Sequence, residues 1–279
     1  MGYFGYNAYV KGGLGFRLPG YEFEKYAQEK MNQSFGAYGS AQQFIDQCDF
    51  IYAKKVNTIT SKCHTKDRYV ANQVLLWGDS YAQMLTYGLL KNLPTNWQLL
   101  QIASRGCQVS IFQATWSDID YCRQSNYFAM KTIAQEKPKV VIVSQNSDLN
   151  QENAQLLSDK LHRMGVERVI FVGKPPEWSE PLPKLVFRRF PKQIPVQSLF
   201  GLDQNKVNSG ALVSAKSLGL SKPDIYLNLL QVLCTSNGCL VYVGSDPEQG
   251  IAALDERHLT PVVSNFIAEN YLLPSILSK

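Results

Sequence analysis

The chain has 279 residues, a net charge of +5 and three histidines, with 45% hydrophobic and 18% charged residues. That is enough apolar material for one large core and too little charge for a disordered chain. Basic residues are scattered, and a pair such as Arg188-Arg189 is too short to mark a nucleic-acid partner. No run reaches the roughly 20 apolar residues of a membrane helix.

Residues 1–68 differ from the rest. They are rich in Gly, Tyr and Gln, with helices expected near Tyr21–Met31 and Ala41–Tyr52. The N-terminus has no basic stretch followed by an apolar core, so it does not read as a secretory signal. We read 1–68 as an extension packing on a domain formed by 69–279.

From about residue 70, strands alternate with helices. Gln73–Trp77 is a short apolar run that suits a buried parallel strand. It ends at Gly78-Asp79-Ser80, and a helix is expected over Tyr81–Lys91 with Ala82, Leu85, Leu89 and Leu90 on its buried face. Trp97–Ile102 is a second strand, Arg123–Gln135 a helix, Lys139–Ser144 a third strand, and Gln151–Met164 a helix stopped by Gly165. Arg168–Val172 is a fourth strand. Gly173–Gln197 holds many of the prolines and reads as a surface excursion. Gln204–Leu218 follows as a helix, Pro223–Leu227 as a fifth strand, Cys239–Tyr242 as part of a hairpin, and Pro261–Tyr271 as a closing helix. This alternation predicts a three-layer α/β/α sandwich around a mainly parallel five-stranded sheet of flavodoxin-like topology.

The six cysteines fall as neighbours: Cys48 and Cys63, Cys107 and Cys122, Cys234 and Cys239. Many pairings are open to six cysteines, and local pairing is the simplest, because each pair closes a short loop. Zinc is the competing use, but there is no C-x2-C pair and the only histidine beside a cysteine is His64. Disulfides imply an oxidising compartment.

Four blocks carry candidate chemistry. Gly78-Asp79-Ser80 places a serine where a strand turns into a helix, although Asp79 or Ser80 as a plain helix cap accounts for it as well. Asp255 and His258, three apart, let a carboxylate orient an imidazole whose far nitrogen takes a proton from serine. His64 lies in a loop, and His162 is expected on the solvent face of a helix. Asn146, in Ser144-Gln145-Asn146-Ser147, can donate an amide hydrogen bond to an oxyanion. Gly106, after the second strand, offers a backbone N–H without a side chain in the way.

Taken in chain order, Gly78-Asp79-Ser80, Gly106, Asn146, then Asp255 and His258, the blocks resemble the SGNH/GDSL hydrolase superfamily. The resemblance implies a catalytic Ser80–His258–Asp255 triad and an oxyanion hole from Ser80, Gly106 and Asn146. Ser144 and Ser147 stand where that family has Gly and Asp. A narrower resemblance rests on Gly-Asp-Ser-x-Ala, the Gly-Cys after the second strand, the C-terminal cysteine pair, Asp-x-x-His-Leu-Thr and the stretch at 12–19. These are similar to SGNH domains fused behind acyltransferase family 3 membrane proteins, where Tyr81 stands in place of a common His. That likeness implies an O-acetyltransferase acting on O-antigen or another surface polysaccharide. It implies no bound cofactor and no metal, and an acyl donor derived from acetyl-CoA and supplied through a membrane domain of the same parent chain. The chain is then a monomeric periplasmic portion of a bacterial inner-membrane protein. The alternatives are a carbohydrate esterase and a non-catalytic glycan-binding module. Trp116, Tyr121 and Trp178 suit either a sugar groove or ordinary packing.

Overall fold

The structure, a computed structural model, describes residues 39–52, 59–111, 120–190, 192–247 and 249–278. The helix expected at Tyr21–Met31, the stretch at 12–19 and Trp116 lie outside these residues.

A helix over 39–47 (α1) precedes the first strand, Asn72–Gly78 (β1). Ser80–Gln83 (α2), Thr86–Asn92 (α3), Trp97–Ala103 (β2), Asp120–Glu136 (α4), Val140–Ser144 (β3), Gln151–Arg163 (α5) and Arg168–Val172 (β4) follow. Then come Leu182–Arg189 (α6), Gln197–Ser198 (β5), Gln204–Ala211 (α7), Ile225–Leu227 (β6), Leu229–Leu233 (α8), Cys234–Thr235 (β7) and Gly238–Leu240 (β8). Pro261–Ile267 (α9) runs through one wider turn into Leu273–Leu277 (α10).

The main sheet has the order β2-β1-β3-β4-β6, and every pair in it is parallel. Alternate side chains feed two cores, as the period of a strand requires. Val74, Leu76, Val140, Ile142, Ile170 and Val172 face one layer, with α3, α6 and α9 packed on it. Leu75, Trp77, Val141, Val143, Val169 and Phe171 face the other, under α4 and α5. Burial on both faces is why these strands read as unbroken apolar runs. Cys48, Phe50, Ile59 and Cys63 are buried in the second core, beside β1 and β2. All six cysteines bond as neighbours: Cys48–Cys63, Cys107–Cys122 and Cys234–Cys239.

Several elements depart from the sequence reading. The helix expected over Tyr81–Lys91 breaks at Met84 and Leu85. The break shifts the helical phase, so Leu90 is exposed rather than buried. The excursion at Gly173–Gln197 contains α6, whose Leu182, Leu185 and Val186 are fully buried. Its prolines sit at the first turn, where a missing N–H costs nothing. Trp178 is a core residue, 3% exposed, and lines no groove. The helix from Gln204 stops at Ala211, because the Asn228 side chain takes the carbonyls of Gly210, Ala211 and Val213. The hairpin is β7–β8, centred earlier than expected and closed by Cys234–Cys239. His162 is partly buried rather than free on the solvent face. Its ring bridges Val166 O at 2.8 Å and Asp224 at 2.9 Å, and Asp224 also accepts from Val169 N–H.

The Cys48–Cys63 bridge closes a loop with a sequence separation of 15. Replacing both cysteines by serine is expected to cost about 3 kcal/mol in urea unfolding. An unchanged midpoint would show that this segment contributes no constraint.

Candidate active site

Ser80 follows the end of β1, beside β3, where the strand order reverses direction. Ligands of open parallel sheets bind at this crevice. The approach of the two strand ends is very close. A Cβ at Gly78, whose φ is +154°, would lie 1.8 Å from the carbonyl oxygen of Ser144. No other residue fits there. Asp79, 2% exposed, then ties the turn together. One carboxylate oxygen accepts from Tyr81 N–H and the other from Asn146 N–H, both at 2.8 Å. Burial pushes this carboxyl up, and the two N–H donors oppose that shift. Asp79 is thus both the helix cap and a strap between β1 and β3.

Asp255 and His258 sit on a tight loop rather than a helical turn. An Ala253–Leu259 bridge and the Leu254 N–H to His258 O bond close its base. Trp178 N–H and Leu182 N–H hold it from outside through the carbonyls of Glu256 and Asp255. Thr260 and Pro261 then start α9. That helix is seated against α3, where a Cβ at Gly88 would come within 2.1 Å of Ser264 O.

The loop brings His258 to Ser80. His258 Nε2 lies 2.9 Å from Ser80 Oγ, and His258 Nδ1 lies 2.6 Å from Asp255 Oδ2. The other Asp255 oxygen accepts the N–H groups of Arg257 and His258 at 2.8 and 2.7 Å. Burial alone would raise this carboxyl, but the His258 ring and the two N–H groups outweigh it and hold it at about 2. Asp255 is therefore an anion through the neutral range. It fixes the His258 tautomer, so that Nε2 is free to accept the serine proton.

Two backbone donors are unspent nearby. Among the described residues neither Ser80 N–H nor Gly106 N–H has a protein acceptor. Gly106 has φ +72°, and no atom lies within 4 Å of where its Cβ would be. Asn146 is exposed at the end of β3, and its own N–H is spent on Asp79. Ser144 Oγ, where the related block carries Gly, is buried without a partner.

An open groove of about 480 Å³ lies over the serine. Gln42 and Ile45 of α1 form one wall, and Met84, Leu254 and Leu259 give it an apolar surface. Arg105 anchors that wall to the domain, pairing with Asp46 at 3.0 Å and with buried Asp49 at 3.3 Å, and lying over the Tyr52 ring. Gln83 joins the same network, donating to Asp49 and to Ala103 O. The sequence reading missed α1 as a wall and Gln83 and Arg105 as its anchors. Ala41 and Ile45 carry an apolar i,i+4 signal, but nothing in it says what they pack against. Tyr121 is partly buried and donates to Arg105 O. On the opposite side Tyr81 packs edge-on against His258 at 5.8 Å. Burial pushes its hydroxyl up to about 12, opposed by the nearby charge of Arg257, which pairs with Glu177 at 3.7 Å.

Gly78→Ala is expected to lower the melting temperature by roughly 10 °C or more, since a β-carbon and a carbonyl oxygen compete for one place. A variant as stable as wild type would refute the close approach. The depressed Asp255 carboxyl makes a separate forecast. Its folded value of about 2 lies below the ordinary 3.8, so its stabilisation is complete above the ordinary value and is lost as pH falls through the folded one. The stability gap between wild type and Asp255→Asn is therefore expected to narrow below about pH 4. A gap independent of pH in melting curves would contradict this.

A family model for the SGNH domain fused to AT3 domains matches residues 47–272. Among solved structures, the chain is similar to the periplasmic domain of the Salmonella ser. Paratyphi A lipopolysaccharide acetyltransferase. The TM-score is 0.67 at 21% identity, over 86% of this chain and 97% of that one. No curated protein matches. The chain belongs to the family of SGNH domains that are fused to AT3 domains.

Proposed function

We propose that this domain moves an acyl group, in the first instance acetyl, through a Ser80 acyl-enzyme to a sugar hydroxyl of a bacterial surface polysaccharide such as O-antigen. The observation that carries the reading is the unbroken Ser80–His258–Asp255 hydrogen-bond chain. Its setting in a family fused to AT3 domains, and the likeness to an acetyltransferase domain, support transfer.

Ser80 Oγ attacks the acyl carbonyl while His258 Nε2 takes its proton. The developing oxyanion is met by the N–H groups of Ser80 and Gly106 and by the Asn146 amide. His258 returns the proton to the departing group, leaving the acyl ester on Ser80. A sugar hydroxyl then attacks that ester, and His258 takes the new proton and passes it back to Ser80. Asp255 stabilises the imidazolium in both halves. No metal takes part in this scheme. The acyl group, derived from acetyl-CoA, is delivered by the membrane domain of the parent chain. The three disulfides support a periplasmic setting.

Hydrolysis shares the first half, and the open groove over a half-exposed Ser80 favours it as a second reading, since water can reach the acyl-enzyme. It differs in releasing acetate from an acetylated glycan without a membrane partner.

Ser80→Ala is expected to cut p-nitrophenyl acetate turnover by at least about 10³-fold and to abolish the acyl adduct seen by intact mass on wild type. Asp255→Asn places an amide N–H against Nδ1 and leaves the hydrogen on Nε2, which then cannot accept the Ser80 proton, and this is expected to cost about 10⁴-fold in kcat. Equal turnover in wild type and Ser80→Ala would overturn the mechanism.

A further inference from the structure

We propose that a second cavity, on the far side of Tyr81, is a subsite for one neutral sugar ring of the acceptor glycan. The inference rests on the reading of Ser80 given above and adds where the acceptor is held. The cavity encloses about 210 Å³, room for a single pyranose rather than a chain. It lies along the same sheet edge as Ser80: Asp148 follows β3, Lys174 follows β4 and Asn228 follows β6. Tyr81 joins the two sites. It follows Ser80 in sequence, packs on the His258 ring and lines the cavity. A ring bound there is the neighbour of the sugar that meets the acyl-enzyme.

The lining defines the ligand. Its charges are nearly balanced, and most are spent. Lys174 pairs with Asp148 at 2.6 Å, and Glu177 pairs with Arg257. Asp203 caps α7 through one carboxylate oxygen. Among the described residues the Lys206 ammonium and the Tyr226 hydroxyl have no hydrogen-bond partner. Val207 and Leu230 supply apolar surface beside the tyrosine rings. Convergent donors and acceptors on an apolar wall suit a polyhydroxylated ring. A polyanion would meet three carboxylates, and a purely apolar ligand would bury Lys206 unpaired.

The cavity is also held in shape. Asn228, 5% exposed, donates to the carbonyls of Gly210 and Val213 and accepts from Leu230 N–H, so the α7 wall and the α8 wall share one anchor. A Cβ at Gly173 would lie 2.4 Å from the Tyr226 hydroxyl. Glycine there leaves room for that ring.

The test is a titration of ¹⁵N-labelled protein with the methyl glycosides of galactose, mannose, rhamnose and N-acetylglucosamine, with inorganic phosphate as the anion control. At least one glycoside is expected to shift the amides of Lys206, Gly210 and Val213 saturably, while phosphate leaves them in place. The shifts are expected to vanish in Ser209→Trp, whose indole occupies the cavity, and to persist in Ser80→Ala. Should Ser209→Trp fail to fold, Lys206→Ala is expected to weaken the same binding about tenfold. The proposal is overturned if no glycoside moves these amides, if phosphate moves them instead, or if folded Ser209→Trp or Lys206→Ala binds as wild type does. The binding readout does not depend on turnover. Glycoside binding beside an unimpaired Ser80→Ala esterase would sink the serine mechanism and leave the sugar subsite standing.

Discussion

The carbonyl oxygen of Ser144 occupies the place where a side chain at position 78 would have to be. That contact sets the spacing of β1 and β3 at their carboxyl ends, and the turn that carries Ser80 is built on it. Asp79 then uses both carboxylate oxygens to fix the turn to the end of β3. Two strands, one glycine and one buried acid thus determine where Ser80 points. The short α2 contributes little macrodipole of its own, so the charge that develops in an acyl transfer must be met by individual N–H groups.

His258 and Asp255 reach the serine from 178 and 175 residues away in sequence, and three elements hold their loop in place. The Ala253–Leu259 bridge closes it, the backbone of Trp178 and Leu182 grips its outer side, and α9 continues from it into a close contact with α3. The proline-rich excursion is therefore a clamp on the loop that carries Asp255 and His258. Electrostatics finish the arrangement. Three donors on Asp255 outweigh the penalty of its burial and keep it ionised.

Around this centre the surroundings are unequal. Toward β2 lies an open, mainly apolar groove walled by α1, and Arg105 fastens that helix to Asp46, Asp49 and Tyr52. Toward β4 and β6 lies a smaller cavity behind Tyr81, more polar than the groove. A transferase must hold two partners at one serine without letting them exchange places. A more apolar side and a more polar side separated by Ser80 and His258 suit that requirement.

Much of this was legible in the residues alone. Buried parallel strands must be apolar on both faces, so four of the five were evident as runs with nearly correct ends. Ser80, Asp255 and His258 were legible as blocks of suitable type and order, although His162 also has an aspartate, Asp159, three residues before it and only the fold tells the two pairs apart. The cysteines paired as short loop closure favours. The rest depended on contacts between distant segments. The break in the helix after Ser80, the early stop of α7 against Asn228 and the docking of the His162 ring on buried Asp224 all have tertiary causes that local periodicity cannot carry. The same is true of the site's boundaries. Residue type and spacing picked out the Ser80, His258 and Asp255 groups that the fold joins by hydrogen bonds. Only the packed structure decided what walls them, because a wall is made by whichever surfaces the fold brings together, and Ile45, Arg105, Tyr81 and Lys206 carry no shared signal until it does.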